Sequence, residues 1–265
     1  MIRSYFGLDS NPFQTDSVTL LPLQQEIFDT VKVHSQQGGL CLIMGEPGTG
    51  KTVIKEAIRQ TIDKRMLIVT ISRTMHTYTN TIKILCSAFN INDDGAHFKC
   101  EKRLIEAAFS LKREGKTLIT VIDEAHLMDM ETMRKLRLMF EEFPKNHNLI
   151  LIGQLELLAN MSLKMYQDIK SRVTYSTTLK KINPDDMELF ILQQLEKAGM
   201  GHNTFTPDAL ALIIRSVDGI IRRARNLCLS CMLEAVRDRK KIIDIHIVNR
   251  VLIQPHWRNE NDMQN

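Results

Sequence analysis

The chain has 265 residues, 43% of them hydrophobic and 25% charged, so it carries enough apolar surface for a packed core and is neither disordered nor peptide-scale. At ~150 residues per domain, this length accommodates one large domain with a smaller companion. The 35 Lys and Arg outnumber the 31 Asp and Glu by four, which excludes a histone-like tail and confines any nucleic-acid contact to a localised basic face.

Met1-Ile2-Arg3-Ser4-Tyr5-Phe6-Gly7 lacks the apolar run and small-residue cleavage site of a secretory leader. Runs such as Leu40 to Met44 and Leu118 to Ile122 are strand-length, far below the ~20 residues of a membrane span. Cys41, Cys86, Cys100, Cys228 and Cys231 are scattered and odd in number, which suits reduced thiols. Cys228-Leu229-Ser230-Cys231 has metal-ligand spacing but no second ligand pair, and it reads as helix packing. Together these features predict a cytoplasmic protein with no membrane contact.

Apolar, β-branched runs alternate with amphipathic stretches through the first two-thirds of the chain, the pattern of parallel βαβ units. Strands are predicted at residues 40–44, 67–72, 118–123, 149–153 and, more weakly, 173–179. The first four are near-continuously apolar, as buried parallel strands are. Helices are predicted at residues 52–63, 79–88, 99–113 and 131–142. From Asn183-Pro184-Asp185-Asp186 onward the pattern is helical, with caps and N1 prolines opening helices at residues 184 and 207. Helical patterns also cover residues 222–239 and 244–252. The expected fold is therefore α/β: a five-stranded parallel sheet flanked by helices over residues 1–181, an all-helical lid over 182–254 and a tail over 255–265.

Directly after the first strand stands Gly45-Glu46-Pro47-Gly48-Thr49-Gly50-Lys51-Thr52, a phosphate-binding P-loop in its required strand-to-helix context. Its glycines let backbone N–H groups wrap a β-phosphate, Lys51 reaches the β and γ oxygens, and the Thr52 hydroxyl holds Mg²⁺. The following helix adds its positive N-terminal end. These features identify a P-loop NTPase and predict ATP and Mg²⁺ as cofactors.

The third strand ends in Asp123-Glu124. Asp123 suits a magnesium ligand and Glu124 a base that polarises attacking water. The strand between the two motifs points to a motor or switch rather than a metabolite kinase. Asp123-Glu124-Ala125-His126 spells a helicase box, but those helicases need two motor domains, so His126 reads as a loop residue or a coupling residue. Gln154, after the fourth strand, is the candidate sensor of the γ-phosphate. Arg172, ahead of the fifth strand, is the candidate to reach a neighbouring subunit's site. Arg222, favoured over Arg223, is the candidate lid contact to bound phosphates.

In this order these residues resemble an AAA+ ATPase. Tyr5-Phe6-Gly7-Leu8, Asn11-Pro12-Phe13, Gly38-Gly39, Ile152-Gly153-Gln154-Leu155-Glu156-Leu157 and Gly219 with Arg222-Arg223 resemble, more closely, the ExeA/GspA-type family. That group extends to the transposon ATPases of the TniB, TnsC and MuB kind. The chain departs from the family pattern at Leu155 and Ile221, where proline is usual. The resemblance implies that Phe6, Pro12 and Gln24-Gln25, within an N-terminal segment over residues 1–38, lie around the adenine.

The resemblance further implies a homo-oligomer, a ring or helical filament, on double-stranded DNA. Arg73, Thr74, Lys102 and Arg103 are then the phosphate-contact candidates, positioning the protein without reading bases. Absence of a membrane helix and wall-binding module favours the transposition branch, with a transposase or integrase as partner. The competing expectation is an ATPase acting on a protein partner in secretion or signalling; a replication-initiator or clamp-loader-like module is a third.

Overall fold

A computed structural model describes residues 2–8, 10–13, 18–61, 65–71 and 77–257. The chain divides into two compact units, Pro22–Lys180 and Met1–Leu21 with Lys181–Asn265. The strands are β1 (Gly39–Gly45), β2 (Met66–Ile71), β3 (Thr117–Ile122), β4 (Asn148–Gly153) and β5 (Val173–Leu179). The helices in chain order are α1 (Ile2–Phe6), α2 (Pro22–His34), α3 (Lys51–Arg59), α4 (Tyr78–Ala88), α5 (His97–Arg113) and α6 (Met130–Glu141). They continue with α7 (Glu156–Met161), α8 (Gln167–Lys170), α9 (Pro184–Lys197), α10 (Pro207–Val217), α11 (Ile221–Arg237) and α12 (Ile245–Leu252).

The unit Pro22–Lys180 is an α/β layer structure around one parallel five-stranded sheet in the order β2-β3-β4-β1-β5. β4 is buried throughout, and β1 and β3 are buried after their first residue, which matches their mostly apolar sequence. β2 lies at an edge and is only half-buried over Met66 to Ile68, so its equally apolar sequence does not signal a central position. The opposite edge, β5, exposes Thr174, Ser176 and Thr178 in alternation, the period of a strand covered on one face.

Period-two alternation sorts the central strands into two faces. Leu42, Met44, Ile122 and Leu151 share a core with Ile82 and Leu85 of α4, Leu104 of α5 and Leu136 of α6. On the other face Ile119 and Ile150 lie with Val31 of α2 and Ile58 of α3. The sequence pattern did not predict α2. It opens on Pro22 and buries Gln24, Ile27 and Val31 at helical spacing, an apolar stripe only two residues deep.

The second unit packs α9 to α12 around Met187, Ile191, Leu195, Ile213, Leu227 and Val248. Asn183 and Thr206 accept from the backbone N–H of Asp186 and Ala209, each with proline in the first turn, so the caps act as their residue types require. Cys228 and Cys231 are fully buried in this core. Burial pushes the Cys231 thiol up to about 12, which fits packing and not metal binding. Phe13 is buried here too, Ile2, Phe6 and Leu8 pack beside it, and Arg225 Nε donates to its carbonyl at 3.0 Å. Residues 1–21 therefore group with the helices and not with the α/β domain that the sequence assigned to residues 1–181. Their aromatic anchors find an apolar surface there.

One buried titratable group marks the foot of the sheet. The His147 ring stacks on Phe140 at 4.8 Å, lies 5.0 Å from Phe143, and bonds Thr120 Oγ1 through Nε2 at 3.0 Å. Desolvation lowers its pKa from 6.5 to about 3. The unfolded chain then takes up a proton that the folded chain refuses, so stability is complete above pH 6.5 and declines as pH falls toward 3, by up to about 1.4 kcal/mol per pH unit. Urea unfolding of wild type and His147→Gln between pH 7 and pH 4.5 should show the stability gap between them narrowing as the pH is lowered. A gap independent of pH would contradict a neutral buried ring.

Candidate functional site

β1 lies between β4 and β5, and its last residue, Gly45, begins the loop into α3. A side chain at Gly45 is sterically excluded, since a Cβ would lie 2.8 Å from Thr49 Oγ1 and 3.1 Å from Leu179 Cβ. Gly48 and Gly50 hold φ of 87° and 104°, a region that favours glycine. Gly50 is the N-cap of α3, so no cap side chain covers the first N–H groups of that helix. Thr49 Oγ1 donates to Glu46 O at 2.8 Å, and Lys51 Nζ donates to Gly45 O at 2.7 Å and Glu46 O at 2.9 Å. The loop is thus a backbone cradle closed around an ammonium group, a set of donors that fits a polyphosphate.

Beside it, Asp123 follows β3, held by its backbone N–H to Ile71 O at 2.9 Å. Its Oδ1 accepts from Glu124 N–H at 2.9 Å, and its Oδ2 lies 3.0 Å from Lys55 Nζ. Both side chains of this ion pair are over nine-tenths buried. Lys55 is one turn along α3 from Lys51 and was not singled out in the sequence. Its signal is spacing alone: the i+4 position from the P-loop lysine shares that lysine's helix face. Asp123 and the exposed Thr52 hydroxyl are oxygen donors of the kind magnesium takes, one or two from protein and the rest from phosphate and water. Among the described residues no three or more His, Cys, Asp or Glu are grouped so as to hold a metal ion by themselves, so these residues fit a partly hydrated ion bound with nucleotide and not a protein cage.

Glu124 adopts φ 54° and ψ 34°, a left-handed conformation rare for a residue with a Cβ and concentrated at working sites. It opens a single 3₁₀ turn, Ala125–Leu127. Its Oε2 lies 3.5 Å from His126 Nδ1, and His126 Nε2 lies 2.8 Å from Gln154 Nε2. His126 is no plain loop residue, since its side chain is only 7% exposed.

The other predicted residues lie elsewhere. Arg172 is exposed, with Nε 3.2 Å from Glu141 Oε1. It precedes Val173, which pairs with Leu40 at the start of β1, five residues or about 17 Å of strand from Gly45. Arg222 is exposed in the first turn of α11, within the helical unit. Lys102 is exposed and forms a loose ion pair with Glu106 at 3.9 Å. Arg103 instead donates to the carbonyls of Asn92 and Asp94 at 2.9 and 3.0 Å, a use that ties down the loop before α5. Arg73 and Thr74 lie outside the described residues.

Residues 33–161 match the family model described as AAA domain. General secretion pathway protein A of Aeromonas hydrophila is 26% identical over 254 residues, covering 92% of this chain; the chain spans 46% of that protein. Among solved structures, the Aeropyrum pernix ORC2 protein in its ADPNP-ADP complexes has a TM-score of 0.70 at 16% identity, over 91% of this chain and 71% of that one. Drosophila ORC bound to DNA has a TM-score of 0.67 at 17% identity, over 99% and 67%. The Thermotoga maritima RuvB Holliday junction branch migration motor has a TM-score of 0.59 at 16% identity, over 91% and 72%. Residues 33–161 are thus similar to an AAA domain, and the chain shares the α/β P-loop NTPase fold of these solved structures.

The Lys55 and Asp123 charges are desolvated together, so removing one strands the other at a cost of about 3 kcal/mol or more. In metal-free urea unfolding, Lys55→Met should lower stability by that order. The double variant Lys55→Met with Asp123→Asn should recover a large part of the loss. Additive losses would show that the two side chains do not interact.

Proposed function

We propose that this chain binds ATP with Mg²⁺ and hydrolyses it, and that one observation carries the reading: the P-loop, Asp123-Glu124 and Gln154 sit at the ends of three adjacent parallel strands, β1, β3 and β4. Lys51 exchanges the carbonyls of Gly45 and Glu46 for phosphate oxygens. Thr52 and Asp123 hold the magnesium ion, which when bound neutralises phosphate charge. Glu124 accepts the proton of the attacking water, and Gln154 donates an N–H to the γ-phosphate. Arg172 stands at the opposite end of β1 and β5 from the P-loop, a position that supports action at a neighbouring subunit's site.

For the partner, we favour double-stranded DNA, with the subunits assembled as a ring or helical filament that presents DNA to a transposase or integrase. The support is the family pattern in the sequence, the structural likeness to proteins solved on DNA, and the exposed Lys99, Lys102, Lys112 and Arg113 along α5. The basic stretch at Arg134, Lys135 and Arg137 adds little, since all three are paired with Asp168, Glu131 or Glu141. A second reading, action on a protein partner in secretion, draws on the similarity to General secretion pathway protein A. Stimulation of ATP hydrolysis by duplex DNA, with ATP-dependent assemblies on it, supports the first; a rate indifferent to DNA supports the second.

Lys51→Ala should lose nucleotide binding, whereas Glu124→Gln should bind ATP and lose at least 100-fold in turnover, the usual scale of a general base. Wild-type turnover by Glu124→Gln would remove Glu124 from the chemistry. Arg172→Ala and Lys51→Ala, each inactive alone, should recover activity when mixed, because one intact site forms where a Lys51 subunit meets an Arg172 subunit. No recovery on mixing would argue against action across an interface.

A further inference from the structure

His126 has no role in the scheme above, yet its buried ring stands between the two groups assigned to water activation and γ-phosphate sensing. The Gln154 amide nitrogen can only donate, so His126 Nε2 accepts its bond at 2.8 Å. A ring that accepts at Nε2 bears its proton on Nδ1. That Nδ1 is buried, has no hydrogen-bond partner, and faces Glu124 Oε2 at 3.5 Å. The Glu124 side chain is 47% exposed and has room to close on it. The placement of the ring is built into the fold. A Cβ on Gly153 would fall 3.2 Å from the His126 backbone nitrogen and 3.5 Å from its Cβ. Glycine at the end of β4 therefore lets the Ala125–Leu127 turn pack close, and the next residue is Gln154 itself.

Resting on the ATPase reading, we propose that His126 is a positioning residue that holds the Gln154 amide and the Glu124 carboxylate in one fixed relation. One amide N–H of Gln154 is committed to His126, which sets the amide plane and leaves the second N–H to point at the γ-phosphate. On its other side, Nδ1–H gives Glu124 an orientation before water arrives. Recognition of the third phosphate and placement of the base thus depend on a single ring, and neither group must be ordered during turnover.

The test measures dissociation constants for a slowly hydrolysed ATP analogue and for ADP, and turnover of ATP, all with magnesium. His126→Leu should weaken the analogue by the 3- to 10-fold that one net hydrogen bond represents, leave ADP unchanged, and lower kcat ~10-fold through the loosened base. His126→Gln, whose amide oxygen can accept from Gln154, should restore the analogue's affinity to within about twofold. In a Gln154→Ala background His126→Leu should change the analogue's affinity no further. A parallel shift for analogue and ADP, or additive losses with Gln154→Ala, would overturn the proposal.

Nitrogen-15 NMR of the wild-type imidazole needs no variant. It should report the Nδ1–H tautomer in the nucleotide-free protein, and an Nε2–H tautomer would overturn the proposal. Failure of wild type to bind either nucleotide would overturn the underlying ATPase reading as well, a result distinct from normal binding with a silent His126.

Discussion

Because β1 hydrogen-bonds β4 on one side and β5 on the other, all in parallel, its last residue arrives at the same sheet edge as the ends of β3 and β4. That register is an outcome of burial: a strand such as Leu40 to Met44 has no polar face to show to solvent, and it settles between two others with helices above and below. Everything chemically distinctive in the unit hangs from the carboxyl ends it aligns. The P-loop leaves β1, the acid pair leaves β3, and Gln154 leaves β4, so three loops that are far apart in sequence share one edge without any of them having to specify the others. The same register carries Arg172 to the foot of the sheet, about 17 Å of strand from Gly45.

At that edge the electrostatics are arranged before any ligand is present. Asp123 keeps a buried carboxylate beside the Lys55 ammonium and the Glu124 N–H, so its charge is already compensated in a region where an unpaired one would be costly. Glu124 holds a left-handed backbone next to it, a strain of order 1–3 kcal/mol that the packed turn and the buried Ala125 sustain. Lys51 rests on two carbonyls of its own loop, which holds the ammonium inside the turn. In the proposed hydrolysis such preorganisation spares reorganisation, the usual source of catalytic power in phosphoryl transfer.

Much of this was legible in the residues, and for physical reasons. Apolar runs gave the first four strands, since buried parallel strands are mostly apolar, and the glycines, Lys51 and Thr52 were constrained by chemistry that tolerates few substitutes. Asn183 and Thr206 announced helices because each offers a side-chain oxygen to a first-turn N–H that has no partner within the helix, with proline next in sequence. What escaped were properties of the third dimension. Nothing in Ile54-Lys55-Glu56 distinguishes a buried cation from a solvated one, because its partner Asp123 is 68 residues away in sequence. His126 read as a loop residue because its contacts come from β4. The edge position of β2 and the grouping of Phe13 with the helices of the second unit are likewise choices among apolar surfaces that composition cannot rank.

The claim that organises the rest is that the edge formed by β1, β3 and β4 holds a nucleoside triphosphate. A crystal structure of the chain saturated with magnesium and a slowly hydrolysed ATP analogue tests it most directly. The expected result is a triphosphate wrapped by residues 45–52, with Lys51 Nζ moved from the Gly45 and Glu46 carbonyls onto phosphate oxygens and the Gln154 amide at the γ-phosphate. An analogue bound elsewhere, with Lys51 still on those carbonyls, would contradict it.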